Sequence, residues 1–234
     1  MQASGAAPAS PATLALAVAA FILLLLALLF SRYAIDAILL LFERRRVLEP
    51  DERARLALAA PYARLWHMPD SDLAGLPPRR RQRVWNVLAG DWNIRGVRSR
   101  KRVLAQSVLD WLRDAGHRAD PALVGAPERD MDRVRALLAF DCARLVYLAR
   151  LCHFAGYIDE SDAWQYIGAA MRRLAPAFDS WSAYGAAFLT GRALWASGDD
   201  ANLTNAVAWL LRDERSPWAT YPWSAAVARQ NTGS

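Results

Sequence analysis

The sequence is poor in the residues that most often carry chemistry. Its 234 residues include two cysteines and three histidines, and every basic residue except Lys101 is an arginine. It contains no P-loop, no G-x-G-x-x-G pattern and no H-E-x-x-H pattern, which are common signatures of nucleotide-binding and zinc-dependent proteins. These absences argue against the common nucleotide and zinc enzymes, and we expect no cofactor and no bound metal.

The two cysteines do not form a disulfide or a recognisable metal site. Cys142 and Cys152 lie ten residues apart on one predicted helix, which separates them by about 15 Å along its axis. That distance is too long for a disulfide. Together with His153 they give a C-x9-C-H pattern, which matches no zinc-site spacing. Free buried thiols fit a reducing cytoplasm.

Charge is absent from the first 31 residues, a run that ends at Arg32. Within it, the eighteen residues from Thr13 to Phe30 are mostly leucine and alanine. That length is just enough for a helix to cross the roughly 30 Å hydrocarbon core of a bilayer. Further arginines follow at 44–46, on the same side of the segment. The positive-inside rule therefore predicts a single-pass anchor with the N-terminus outside and the rest of the chain in the cytoplasm.

Two other interpretations of the N-terminal segment stay open. A cleaved signal peptide begins with basic residues, whereas residues 1–12 contain none and the apolar run is longer than usual. A buried core helix is rarely apolar on every side. Residues 33–42 are again mostly apolar and extend the segment toward the arginines at 44–46, which we expect to lie at the lipid headgroups.

The positive charge is concentrated just after the first third of the chain. Residues 79–102 contain nine basic side chains and a single acidic one, Asp91. We consider four functions for this cluster: binding to anionic headgroups, a solvated helix face, nucleic-acid binding, which no motif accompanies, and binding to an acidic protein. The candidate membrane-surface or partner residues are Arg79, Arg80, Arg81, Arg83, Arg98, Arg100, Lys101 and Arg102.

Hydrophobic periodicity predicts an all-α fold, with a transmembrane helix followed by a compact multi-helix domain. We divide the chain into an anchor and juxtamembrane helix at 1–50, a linker with a short helix at 51–78, and a helical domain at 79–234. The longest predicted soluble helix, about Glu128 to Ala155, is apolar nearly all round in its second half, which predicts a central buried position. The proline-rich stretch 61–78 is expected to be irregular, and the tail 216–223 extended.

Several ordered segments resemble a known family. They are DWNIRG and LDWLRDAGHR, then FDCARLVYLAR with GYIDESDAW, then FDSWSAYGAAFLTGRALW, and finally SPW followed by PW. This series, spanning about residues 84–223, resembles a bacterial family of uncharacterised proteins of the YbeU/YbeR-like kind. The resemblance implies a helical domain in a bacterial protein, and hence the bacterial inner membrane for the anchor. It implies no activity.

Charged residues within apolar helices form a second group of candidates. Asp141 and Arg144 are three residues apart on the long helix and share a face; the other members are Arg150, Glu160, Arg192 and His117. Buried charges need partners, so we first expect a salt-bridge network that fixes helix register. The alternatives are a pocket for an anionic ligand and, least favoured, a general base at Asp141 or Glu160. His117 follows Gly116 at a helix end, where capping is favoured over catalysis.

The six tryptophans from Trp164 to Trp223 are expected mainly in the core, with the last two able to cover a groove instead. We therefore favour a membrane-anchored cytoplasmic adaptor that binds a partner protein, without catalytic activity. The alternatives are a ligand sensor or enzyme using the arginine-lined pocket, and an accessory or immunity protein of an interbacterial toxin system.

Overall fold

The computed structural model describes residues 21–22, 47–115, 128–196 and 200–227. The helices in these ranges are α1 (Pro50–Leu56), α2 (Ala60–Trp66), α3 (Arg81–Gly90), α4 (Arg98–Ala115), α5 (Glu128–Phe154), α6 (Glu160–Leu174), α7 (Trp181–Ala196), α8 (Ala201–Arg212), α9 (Pro217–Thr220) and α10 (Trp223–Val227). Short 3-10 turns precede α2 and α3, at Ala57–Ala59 and Pro78–Arg80. No strand occurs in the described ranges, and the predicted all-α class is confirmed.

The chain divides into two compact units, Met1–Arg46 and Val47–Ser234. In the first unit, the structure describes Phe21 and Ile22, which are helical and exposed. The rest of the predicted Thr13–Phe30 span, together with Arg32 and residues 44–46, lies outside the described residues. Across the described ranges, no helix combines the length and the apolar character that a membrane crossing needs.

Helix α5 is the axis of the second unit, as its composition predicted. Its residues from 142 to 152 are all buried, and it packs against α4, α6 and α7. Burial on every side explains why apolar residues surround this helix instead of forming one stripe. Because two of the buried side chains, Arg144 and Arg150, are cationic, the helix also carries the charges that the core must accommodate.

The segment between Glu49 and Leu76 belongs to the core rather than lying outside it. The expectation of irregular structure across 61–78 is wrong at its start, because α2 runs to Trp66 with Pro61 in its first turn. A proline is well tolerated there, since the first-turn N–H groups have no partner within the helix. The backbone around the first 3-10 turn accepts two buried hydrogen bonds, from Tyr184 to Leu58 O (2.7 Å) and from Trp218 to Ala57 O (2.9 Å).

The C-terminal tail folds back on this segment through an aromatic cluster. Trp181 stacks on Trp218 with ring centroids 5.3 Å apart, and Trp223 meets Trp181 edge-on at 4.8 Å. The prediction of an extended tail is wrong. Ser216 caps α9 by accepting a hydrogen bond from Ala219 N (3.1 Å), and Pro217 follows in the first turn, a favourable start for a helix.

Predicted helix starts at Asp159 and Ser180 are confirmed by their caps. The Asp159 carboxylate accepts a hydrogen bond from Asp162 N at 2.8 Å, and Ser180 Oγ accepts one from Ala183 N at 3.3 Å.

The prediction that the C-terminal tryptophans lie in the core is only partly confirmed. Trp181, Trp218 and Trp223 are buried, whereas Trp195 is 58% exposed.

Helices α5 and α7 approach each other closely at Gly191. A Cβ placed on this residue would fall against the backbone carbonyl of Ala136, well inside van der Waals contact. We predict that Gly191→Ala destabilises the protein by about 1–3 kcal/mol or more, because a backbone cannot move aside as a flexible side chain can. Urea unfolding monitored by circular dichroism measures the change.

Gly90 provides the matched control, since a Cβ there meets no atom within 4 Å. Gly90→Ala should leave the free energy of unfolding unchanged or raise it by up to about 1 kcal/mol, because alanine is the better helix former. Equal stability of the Gly191→Ala and Gly90→Ala variants would contradict the close approach.

Candidate functional site

Asp141 and Arg144 form the ion pair that their spacing predicted. Arg144 Nη1 lies 3.2 Å from Asp141 Oδ1, and both side chains are largely shielded from solvent. The guanidinium carbon also lies 4.7 Å from the ring centroid of Trp195 and 5.1 Å from those of Trp92 and Phe140. Cation–π attraction adds to the ion pair in such an arrangement. Arg144 is therefore held by one carboxylate and three aromatic rings.

A second pair adjoins this aromatic cage. Arg192 Nη2 lies 3.5 Å from Asp200 Oδ2, and its guanidinium carbon is 5.8 Å from the Trp195 ring. Tyr62 interacts electrostatically with both arginines. Burial raises the pKa of its hydroxyl, and the positive charges of Arg144 and Arg192 oppose that rise. Within the described part of the chain, Arg192 Nη1 is buried without a hydrogen-bond partner. The structure thus brings Asp141, Arg144 and Arg192 together around Trp195.

Arg150 lies apart from these residues, on another face of α5. Six residues after Arg144, it is rotated by about 240° around the helix axis. Its side chain is 1% exposed. Nε donates to Leu73 O at 3.0 Å, and Nη2 donates to Pro69 O at 2.7 Å and to Asp72 O at 3.0 Å. Burial lowers the pKa of Arg150 to about 10, so the guanidinium stays protonated at neutral pH.

Loop 69–75 encloses Arg150 through its backbone. Gly75 adopts φ +64°, and a Cβ at this residue would collide with Arg150 Nη2. Any other residue at this position would be strained in conformation and would displace the guanidinium. The sequence pattern did not reveal this contact, because the partners of Arg150 are backbone carbonyls rather than acidic side chains.

Of the two remaining predicted members, the structure describes Glu160. Glu160 is exposed at the start of α6, where it accepts a hydrogen bond from Trp164 Nε1 at 3.2 Å. His117 lies outside the described residues. The five candidates within the described ranges therefore form no single pocket. The structure separates them into the Asp141–Arg144 pair near Arg192, the Arg150 lock (Arg150 with the carbonyls of loop 69–75) and the surface carboxylate of Glu160.

The basic cluster gathers around the C-terminal end of α5. Lys101 Nζ lies 5.6 Å from the Tyr157 ring and 5.7 Å from that of Trp85. Arg81 lies 6.0 Å from the Phe154 ring, and Arg102 pairs with Asp162 at 3.9 Å. Cations are favourable near a helix C-terminus, where the helix dipole is negative. Arg79, Arg81, Arg83, Arg98, Arg100 and Arg102 are exposed, whereas Arg80 and Lys101 are partly buried.

The outward face of α4 continues this cluster with exposed apolar side chains. Val103 is 61% exposed and Trp111 is 45% exposed, and Ser107 lies between them on the same face. Residues four apart on a helix are neighbours on its surface. Arg100 lies on the same side of the helix, whereas Arg98 and Arg102 are rotated toward the packed side, where Arg102 pairs with Asp162. We call the surface defined by Arg100, Val103, Ser107 and Trp111 the α4 face.

The cysteines are free and fully buried, as expected. Burial raises the pKa of the Cys142 thiol to about 12, and it raises that of Cys152 as well, which suits packing rather than nucleophilic attack. Over the described ranges, no three His, Cys, Asp or Glu side chains are grouped so as to hold a metal ion.

A cavity that the sequence did not predict lies beside α2. Its volume is about 170 Å³. It is bounded by residues of α1, α2, the loop that follows, and α8 with its C-terminal turn; the lining residues are Leu56, Ala57, Ala60, Ala63, Arg64, His67, Met68, Pro69, Asp70, Arg150, Trp209, Leu210, Arg215 and Pro217. Of the five candidates that the structure describes, Arg150 lines this cavity.

Comparison with known proteins gives one family match. The profile described as "Protein of unknown function (DUF1266)" matches residues 105–223, half of the chain. The prediction of an uncharacterised family is thus confirmed, over a shorter range than 84–223. The match does not identify the YbeU/YbeR-like subgroup. No curated protein and no solved structure matches the chain.

The Asp141–Arg144 pair should be structural, and a double-mutant cycle tests this. Burial raises the pKa of Asp141 and lowers that of Arg144, so each charge is costly without the other. We predict that Asp141→Asn and Arg144→Met each destabilise by about 1–3 kcal/mol. The double variant should lose less than the sum, with a coupling of about 0.5–3 kcal/mol in urea unfolding.

Asp110 and Arg113 form the control pair, with the same three-residue spacing and a distance of 3.0 Å but with both side chains well exposed. Asp110→Asn with Arg113→Met should give a coupling below about 1 kcal/mol. Similar couplings for the two pairs would show that burial does not strengthen the Asp141–Arg144 interaction.

Proposed function

This chain belongs to the DUF1266 family of proteins of unknown function, and we propose that it is a membrane-anchored helical adaptor without catalytic activity. In this proposal the N-terminal segment holds the chain in the bacterial inner membrane, and the helical unit binds a partner protein in the cytoplasm. The observation that carries the proposal is the α4 face, where a valine and a tryptophan are exposed on the side of the helix that also carries Arg100.

The α4 face has the composition of a protein-binding surface. Tryptophan and arginine are the residue types most enriched among those that dominate binding energy at interfaces. An exposed apolar side chain loses its contact with water when a partner covers it, at about 25 cal/mol per Å² of apolar area. Arg100 on this face and the other basic residues at the same end of α4 favour a partner with a negatively charged surface, because opposite potentials steer association and select the partner.

The basic residues nearer α3 suit a position close to the bilayer. Arg79, Arg81 and Arg83 are exposed, and each basic side chain near an anionic surface contributes about 1 kcal/mol of attraction. An anchored chain keeps its helical unit near the membrane in any case, so this attraction would orient the unit rather than recruit it. The two groups of basic residues would then serve the headgroups and the partner respectively.

The polar residues of the core favour a structural role over catalysis. Asp141 accepts from Arg144, and Arg150 donates to three carbonyls. A general base needs access to a bound substrate's proton, whereas Asp141 is paired with Arg144 and Glu160 lies at the surface, outside the lining of the cavity beside α2. The toxin-immunity alternative shares the need for a protein partner, and the identity of that partner distinguishes it. The YbeU/YbeR-like subgroup remains a prediction.

We predict that the full-length chain behaves as an integral membrane protein. It should remain with the membrane fraction after alkaline extraction, because a spanning helix is not released by disrupting charge contacts. A protease should degrade the helical unit in inverted inner-membrane vesicles and spare it in intact spheroplasts. Release into the alkaline supernatant, or degradation in spheroplasts, would contradict the anchor or its orientation.

We also predict that one protein is captured in a fixed ratio with the detergent-extracted chain, and that Val103→Ser with Trp111→Ser removes it. The loss follows because these two side chains supply the apolar area of the α4 face. Quantitative mass spectrometry of the captured material gives the ratio, and circular dichroism checks that the variant is folded.

Leu211→Ser is the matched control, since Leu211 on α8 is 46% exposed, close to the value for Trp111. This variant should retain the partner. A partner that survives the α4 substitutions, or that is lost equally from the Leu211 variant, would show that the α4 face does not bind it. Absence of any stoichiometric protein would refute the adaptor proposal.

A further inference from the structure

The cavity beside α2 combines an apolar wall with an excess of cationic residues. Leu56, Ala60, Ala63, Met68 and Leu210 contribute the wall. Three arginines line the cavity, Arg64, Arg150 and Arg215, against the carboxylate of Asp70. Ligand sites in proteins are mostly apolar concavities with a few placed polar groups, and this cavity has that character.

Arg150 extends from the core to the cavity lining, and its Nη1 makes none of the three hydrogen bonds to loop 69–73. A guanidinium has five N–H groups, and the three hydrogen bonds of Arg150 use Nε and Nη2. The acceptors are backbone carbonyls, which satisfy hydrogen bonds without carrying a formal negative charge. Pro69, whose carbonyl accepts from Nη2, also lines the cavity. A buried cation bonded to neutral acceptors is a favourable neighbour for an anion.

Two further arginines are fixed by neighbours at the edge of the cavity. The guanidinium carbon of Arg64 lies 4.1 Å from the ring centroid of Trp209. Arg215 donates to Asp213 through Nε (2.9 Å) and Nη2 (2.8 Å), and Asp213 also accepts from Trp209 Nε1 at 2.8 Å. Stacking on one side leaves the in-plane N–H groups of Arg64 able to bind a ligand, since cation–π contact uses the face of the guanidinium.

We propose that this cavity binds a small organic monocarboxylate, with the carboxylate near Arg150 and Arg64 and an apolar tail against the alanine and leucine wall. A planar carboxylate matches the geometry of a guanidinium, and its single charge suits a site in which Asp70 offsets part of the cationic excess. The volume of about 170 Å³ is below the range of drug-sized pockets, which restricts the ligand to a compact molecule.

Inorganic phosphate fits the same site less well. A dianion would be placed against a largely apolar wall, where desolvation of charge is costly, and it would leave that wall without a contact. A neutral molecule of similar shape would fill the wall but leave the arginines without an anionic partner. The proposal therefore predicts a ranking of probes, with benzoate above benzyl alcohol and above phosphate.

The test is calorimetric titration of the full-length protein in a neutral detergent with these three probes. Benzoate should bind saturably to the wild-type protein, and benzyl alcohol and phosphate should each bind at least about tenfold more weakly. Arg64→Gln should weaken benzoate binding about fivefold to tenfold, because it removes a charged donor. Ala63→Leu should abolish binding by filling the cavity.

Arg83→Gln is the matched control, because Arg83 is also exposed and also stacks on a tryptophan, 4.6 Å from the ring of Trp66, outside the cavity lining. It should bind benzoate as the wild-type protein does. Thermal unfolding checks that each variant is folded. Absence of saturable benzoate binding, equal binding of benzyl alcohol, tighter binding of phosphate, or unchanged binding in the Ala63→Leu variant would each overturn the proposal.

This inference is independent of the adaptor proposal. It concerns the cavity between α2 and α8, whereas the adaptor proposal concerns the α4 face, and no residue is shared between the two sets of variants. Loss of partner capture in the Val103 and Trp111 variant leaves benzoate binding unchanged if both proposals hold. Failure of one can therefore be recognised without reference to the other.

Discussion

The buried guanidinium of Arg150 is the interaction on which the N-terminal part of the helical unit depends. Three carbonyls of loop 69–73 converge on it, and an isolated charge at this depth would cost several kcal/mol without them. The loop follows α2, so its attachment to α5 adds to the direct packing of α2 on α5 and α8. Residues of α2, of this loop and of α8 line the cavity together.

Helix α5 stabilises its two buried arginines in different ways. Arg144 is neutralised by a carboxylate one turn away on its own helix and is surrounded by aromatic rings from three segments. Arg150 uses dispersed carbonyl dipoles instead. An ion pair and its rings satisfy a charge within the core and leave it little affinity for a further anion. The carbonyls bind the donors of Arg150 without a paired carboxylate, and Asp70 and Asp72 oppose its charge only through longer-range attraction. This difference favours Arg150 over Arg144 as the neighbour of an anionic ligand.

The helices were predictable where their signals are local. Caps at Asp159 and Ser180 act within three residues, and the apolar surround of α5 follows from its own composition. The irregular structure expected for the proline-rich stretch 61–78 is wrong at its start, because Pro61 occupies the first turn of α2. The extended structure expected for the tail 216–223 is wrong for a comparable reason, because Pro217 follows the cap Ser216 in the first turn of α9. In both cases a residue's effect depended on its position within the turn.

The site was predictable only where partners lie close in the sequence. Asp141 and Arg144 are three residues apart, and the periodicity of a helix is sufficient to pair them. Arg150 and Leu73 are joined across 77 positions, through a carbonyl that every residue possesses. A backbone acceptor has no signature in the side-chain sequence, so neither the lock nor the cavity beside it could be inferred from composition or spacing. Side-chain pairs close in the sequence leave a recognisable pattern of opposite charges. A charge bonded to backbone carbonyls leaves only an arginine without an acidic neighbour. In α5, the explanation for such an arginine is the loop folded over Arg150.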